Sequence, residues 1–128
     1  MQIDRLDHFV LTVRDIDVTI GFYQTVLGMA PVTFDAGRRA LTFGQSKINL
    51  HPADAPIVPH ANYPVPGSAD LCFVTSQPFA SVIDHLRNCG VTVEDGPVQR
   101  TGALGPITSV YLRDPDGNLI EISTYQHP

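Results

Sequence analysis

Glu121 occupies the position in this chain that most demands a chemical explanation. It lies in Leu119-Ile120-Glu121-Ile122-Ser123, where strand alternation puts Leu119, Glu121 and Ser123 on one face and Ile120 and Ile122 on the other. A carboxylate among apolar neighbours is costly to bury unpaired, so it must be protonated, salt-bridged, at a wet edge or bound to a metal. The plainer reading is an exposed strand glutamate. Near the other end, Leu6-Asp7-His8-Phe9-Val10-Leu11-Thr12-Val13 sets His8 on a strand face with Leu6, Val10 and Thr12. A histidine there is either a core side chain bonded to backbone or a ligand. Asp70, Asn49 and His51 are further metal-competent groups on strand-like segments, with Asn49 and His51 on one face. Tyr111 and Arg113 share a face of the penultimate strand, where they could orient an oxyanion; interior packing is the rival role for Tyr111.

The elements that position these groups come twice. Strand 5–13 leads through Asp15 or Asp17, either able to cap, into a helix with apolar positions Ile20, Tyr23, Val26 and Leu27, stopped by Gly28. Three short strands follow near 31–35, 39–44 and 47–51, divided by Asp35-Ala36-Gly37 and Gly44-Gln45-Ser46. Residues 52–68 contain prolines at 52, 56, 59, 64 and 66 and no period, which predicts a stiff connector. Strand 69–75 then precedes a helix opened by Ser76-Gln77-Pro78, with a stripe of Phe79, Val82, Ile83 and Leu86 ended by Gly90. Strands near 92–95, 106–113 and 118–124 complete the second half, with the longest loop expected from Gly96 to Gly105. Asp114-Pro115-Asp116-Gly117 is a strong reversal signal before the last strand.

Gly28 lies twenty residues after His8 and Gly90 twenty after Asp70, so the halves superpose without a gap. That register pairs His8 with Asp70 and Asn49 with Glu121. The expected boundaries are a first module at 1–52, a connector at 53–68 and a second module at 69–128 within one domain. Hydrophobic content of 43% over 128 residues suffices for a packed interior. A formal charge of −5 with scattered basic residues argues against a nucleic-acid or anionic-membrane surface and for small molecules or a second copy as partners. Cys72 and Cys89 read as buried free thiols, with a disulfide the lesser alternative. Met1 to Arg5 shows no signal-peptide pattern and no apolar run reaches spanning length, so a cytoplasmic protein is expected. His60, His85 and His127, in the connector, on a helix and at the tail, are expected to face solvent.

Three segments make the chain resemble the vicinal oxygen chelate superfamily, the glyoxalase, bleomycin-resistance and extradiol-dioxygenase group. They are Leu6 to Val13, Phe22-Tyr23 with Gly28-Met29 closing the first helix, and Asp114-Pro115-Asp116-Gly117-Asn118-Leu119-Ile120-Glu121. The resemblance covers essentially the whole chain and implies an α+β fold of two paired βαβββ modules whose curved sheets line a cavity. It also implies a divalent metal on the first and fourth strands of the modules, with open positions where neighbouring substrate oxygens chelate. By position His8 and Glu121 are the foremost ligands. Asp70 stands where metal-binding relatives usually carry histidine, and Asn49 where they often carry Glu or Gln, so His51 is a candidate to replace Asn49. A His8, His51 and Glu121 set, with Asp70, suits Fe2+, and also Mn2+, Zn2+ or Ni2+.

The implied function is a metal-dependent dioxygenase or glyoxalase-like lyase or isomerase, in which Glu121 or Asp70 moves a proton and Tyr111 steadies an oxyanion. The resemblance favours a homodimer. The alternatives are a metal-free binding protein of the bleomycin-resistance type and a purely structural or regulatory domain.

Overall fold

The computed structural model describes residues 1–125. The chain divides into two compact units, residues 1–67 and residues from 68 onward. In the first unit the order is β1 (His8–Val13), α1 (Ile16–Leu27), β2 (Ala30–Phe34), β3 (Arg38–Phe43) and β4 (Ser46–Pro52), with sheet order β1-β4-β3-β2. In the second it is β5 (Asp70–Val74), α2 (Phe79–Asn88), β6 (Asp95–Gly102), β7 (Gly105–Arg113) and β8 (Leu119–Tyr125), with order β5-β8-β7-β6. The βαβββ order therefore occurs twice with the same pairing: the first strand runs parallel to the fourth, and the remaining neighbours are antiparallel.

Local chemistry explains the boundaries. Asp15 caps α1, its carboxylate accepting from Val18 N at 3.1 Å. The helix ends at Gly28 in the left-handed region, φ 67°, with Gly28 N donating to Gln24 O and Met29 N to Tyr23 O. Those two bonds satisfy carbonyls the last turn would leave open, and positive φ is why glycine stands there. Ile20, Tyr23 and Val26 are buried on α1, and Leu11, Val13, Leu41, Ile48 and Leu50 are buried on one face of the sheet. Each fully buried aliphatic side chain contributes about 1.5–3 kcal/mol. In the second unit Val110, Leu112, Ile120 and Ile122 form the buried face, and α2 buries Val82 and Leu86.

The Asp114-Pro115-Asp116-Gly117-Asn118 reversal is a hydrogen-bonded structure in its own right. Asp114 Oδ1 accepts from the backbone N of Asp116 and Asn118 at 2.9 and 3.0 Å, and its Oδ2 accepts from Asn118 Nδ2 at 2.8 Å. Asn118 Oδ1 in turn accepts from Ala69 N at 2.9 Å. The turn thereby fixes the start of β8 beside the start of β5, which sets the register that places Glu121.

Three expectations need correction. The Gly96–Gly105 loop is mostly strand: β6 runs to Gly102 and pairs with β7, with a register shift between Asp95 and Val98. Gly96 and Pro97 look like breakers, but β6 is an edge strand, where a proline at a bulge removes no needed ladder bond. The cysteines are free but not buried, Cys72 being exposed and Cys89 intermediate. β5 is also an edge, with the side chain of Cys72 on the face opposite the apolar one. The first strand begins at His8, leaving Leu6 exposed ahead of it. His60 and His85 are exposed, as expected, while His127 lies outside the described residues. No helix is long and apolar enough to cross a membrane among the described residues.

Candidate functional site

Each sheet has an apolar face and an opposite face rich in polar side chains. Register defines the polar face of the second sheet. Glu121 stands between Cys72 on β5 and Tyr111 on β7, and Ser123 stands between Val74 and Ser109. Asp70 pairs with Leu119 one step earlier. Because paired residues project to the same side, Asp70, Cys72, Ser109, Tyr111, Glu121 and Ser123 share one surface.

The Glu121 carboxylate is held from one side only. Ser109 Oγ donates to its Oε2 at 2.6 Å, and Ser123 Oγ lies 3.2 Å from the same oxygen. The two serine hydroxyls are 2.6 Å apart, and Cys72 Sγ reaches Ser123 Oγ at 3.2 Å. Oε1 has no hydrogen bond among the described residues. Glu121 is thus half-buried and oriented, with one oxygen left for a ligand. Burial of the sulfur pushes the Cys72 thiol up although the residue as a whole is exposed; the Ser123 hydrogen bond lowers it and the Glu121 charge raises it further. It is a poor thiolate nucleophile on those grounds.

Tyr111 is also oriented. Arg100 Nε donates to its hydroxyl oxygen at 3.1 Å, and the guanidinium stands 5.6 Å from the ring centroid. The Tyr111 O–H remains free to donate. Arg113 is committed elsewhere, to both oxygens of Glu94 at 3.1 and 3.0 Å and to Gly117 O at 3.2 Å. The Arg113 hydrogen bond, outweighing desolvation, holds the Glu94 carboxyl below its usual range. Asp70 has no hydrogen bond among the described residues, and its charge acts on Arg113.

On the first sheet the polar face carries His8 beside Lys47, Val10 beside Asn49, and Thr12 beside His51. His8 is exposed, and its Nδ1 meets Asp7 Oδ2 at 2.8 Å, leaving Nε2 open. That hydrogen bond is the main reason the Asp7 carboxyl lies below its usual range. Asn49 and His51 are buried, at 6% and 2% exposure, and Asn49 Oδ1 and both His51 nitrogens have no partner. A surface role for His51 is thereby excluded. Desolvation, then the charges of Arg38 and His60, hold the His51 imidazole below its ordinary value. His8 and His51 share the face but stand four residues apart in β1 register, roughly 13 Å along the strand.

The repeat inferred from spacing is visible in register. His8 pairs with Lys47, two residues before Asn49, and Asp70 pairs with Leu119, two residues before Glu121. Among the described residues, no three His, Cys, Asp and Glu side chains gather as a metal-holding group. Ser109, Ser123 and Arg100 are the site residues the sequence reading missed. Ser109 and Tyr111 alternate on β7 as Glu121 and Ser123 do on β8, which is the signal that finds the serines. Arg100 was hidden by the expectation of a loop.

A family model described as the Glyoxalase/Bleomycin resistance protein/Dioxygenase superfamily matches residues 5–122. The chain is 57% identical over 125 residues to Virulence protein STM3117 of Salmonella typhimurium, covering 98% of this chain and 87% of that protein. It superposes on the crystal structure of STM3117 with a TM-score of 0.97, covering 98% of this chain and 100% of that one at 56% identity. It is 53% identical over 126 residues to Glyoxalase domain-containing protein RDO1 of Mycosarcoma maydis, covering 98% of this chain and 71% of that protein. An integron cassette protein from the mobile metagenome of V. cholerae matches with a TM-score of 0.96 at 56% identity, covering 98% of both chains. From the doubled βαβββ architecture and these matches, the chain belongs to the glyoxalase/bleomycin resistance protein/dioxygenase superfamily.

Proposed function

We propose that this protein is a divalent-metal-dependent enzyme of the vicinal oxygen chelate type, a dioxygenase or a lyase or isomerase, acting on a small oxygen-rich substrate. The observation that carries this reading is the open coordination capacity of two supported side chains. Asp7 occupies Nδ1 of His8 and leaves Nε2, while Ser109 and Ser123 occupy Oε2 of Glu121 and leave Oε1. Outer-shell hydrogen bonds of this kind orient metal ligands and raise their basicity. His8 in the first unit and Glu121 in the second are each proposed as metal donors, with the unbonded carboxylate of Asp70 as a further donor; these donor types fit iron(II), manganese, zinc or nickel.

When bound, such a metal supplies Lewis-acid stabilisation of charge on substrate oxygens. The chain's own residues do the rest. Tyr111, braced by Arg100, donates its O–H to a developing oxyanion. In an isomerase-type reaction Asp70 or the free oxygen of Glu121 takes and returns a proton, and the serine pair keeps Glu121 aimed. The exposed apolar side chains Leu6 and Val10 at β1 and Val74 on β5 support a homodimer, in which a second copy covers them.

A second reading, a metal-free small-molecule binding protein of the bleomycin-resistance type, is supported by the first sheet's buried but unpartnered Asn49 and His51. A ligand could satisfy those groups without a metal.

The test is a substrate screen on protein loaded anaerobically with iron(II), manganese, nickel or zinc. Oxygen uptake with catechols or loss of thiol adducts of ketoaldehydes, abolished in Glu121→Ala, is expected with one of the metals. No turnover in either class with any metal favours the binding protein.

A further inference from the structure

We propose that the polar face of the first sheet is an anion-recognition site, so that the protein's small-molecule ligand carries a carboxylate or phosphoryl group received by Arg38, Lys47, His51 and Asn49. This deepens the function proposed above and rests on it for the existence of such a ligand.

The first observation is a pair of cations without a direct ion pair among the described residues. Phe34 pairs with Arg38 across β2 and β3, and its ring receives the Arg38 guanidinium at 5.0 Å and Lys47 Nζ at 3.9 Å from the centroid. Neither cation has an ion pair or side-chain hydrogen bond among the described residues. By contrast Arg5, Arg39, Arg87, Arg100 and Arg113 each reach a carboxylate. Lys47 acts electrostatically on the Asp7 carboxylate without an ion pair to it, and in a chain of formal charge −5 two like charges drawn to one ring favour a further anion.

The second observation is independent. Arg39 pairs with Leu50 and Ala40 with Asn49, which brings Arg38 one register step on beside His51. His51 and Asn49 are over nine-tenths buried with unpartnered polar atoms. Burying such groups without partners is destabilising, so they are normally met by water, an ion or a ligand. A neutral imidazole offers one N–H, and the Asn49 amide can turn its NH2 toward an acceptor. The planar guanidinium of Arg38 matches two oxygens of a carboxylate or phosphoryl group. Arg38, beside His51 in register, disfavours a metal cation there, which makes His51 a donor to the ligand in this scheme rather than a member of the metal set.

Calorimetric titration at low ionic strength in chloride-free buffer tests this, on metal-free and metal-loaded protein, with benzoate, inorganic phosphate and neutral benzamide as probes. At least one anion should bind while benzamide does not, and Arg38→Gln and Lys47→Gln should each weaken that anion about tenfold. Binding of benzoate alone assigns a carboxylate, and of phosphate alone a phosphoryl group. His51→Gln should weaken it as well; if that variant does not fold by circular dichroism, the two surface variants decide. Binding of neither anion, or wild-type affinity in both Arg38→Gln and Lys47→Gln, overturns the inference and leaves water as the partner of His51. Metal uptake without anion binding refutes this inference alone. Anion binding in a protein that takes up no metal refutes only the metal-dependent reading.

Discussion

Ser109 donates its hydroxyl to Glu121 Oε2 across the β7–β8 pair at 2.6 Å, so the orientation of the candidate metal carboxylate depends on a neighbouring strand. Ser109→Ala should leave the fold intact and weaken metal binding about 10–100-fold, the usual cost of losing an outer-shell partner. Competition titration with a chromophoric chelator measures it. Wild-type metal affinity in a Ser109→Ala, Ser123→Ala double variant would show that the serines do not position Glu121.

Asn118 joins the last reversal to the start of β5 through Asp114 and Ala69. Asn118→Ala would remove the hydrogen bonds to Asp114 Oδ2 and from Ala69 N, and should destabilise the protein by about 2 kcal/mol. Urea unfolding reads this as a lower midpoint at unchanged slope.

Gly96 stands at the β6 irregularity with φ 103°, and an added Cβ would collide with the Ser109 carbonyl oxygen. Gly96→Ala should therefore cost about 2–4 kcal/mol, because left-handed strain adds to a clash with backbone. The same variant should loosen metal binding by displacing Ser109, whereas Gly37→Ala, strained by its φ of 97° but with nothing within 4 Å of the added Cβ, should lower stability alone.

His51 has its proton affinity lowered in the native state, by burial first and then by Arg38 and His60. Below its ordinary value of 6.5 the unfolded chain binds more protons than the native one, so the stability linked to His51 is complete above that pH and is lost as pH falls through the native value. Unfolding midpoints followed from about pH 7.5 to about pH 5 should decline in the wild type and less steeply in His51→Gln. Asp7 and Glu94, whose carboxyls are also held low, act only below their ordinary values of 3.8 and 4.5. Parallel curves for the two proteins would contradict this account.

Much of the architecture was legible because it is written in local chemistry. Asp15, Gly28 and the Asp114–Asn118 reversal mark boundaries through capping, positive φ and side-chain turns, and those signals survive without tertiary context. The alternation around Glu121 likewise set its face. β6 was not legible, since Gly96 and Pro97 break a strand unless it lies at an edge, and edge position is decided by pairing across the sheet. The exposure of Cys72 had the same origin: an apolar segment reads as buried whichever face its thiol takes. His51 was ambiguous because a strand end before Pro52 can be open or covered, and only the folded sheet shows it covered, near Arg38, which the sequence sets thirteen residues away.

The central proposal is that His8 and Glu121 each serve as donors to a divalent metal, and elemental analysis tests it most directly. Protein purified anaerobically without chelator or histidine tag should carry about one equivalent of metal per chain, lost in His8→Ala and Glu121→Ala while both variants remain folded. A wild type that holds no metal, and takes none up from iron(II), manganese, nickel or zinc, would contradict the claim.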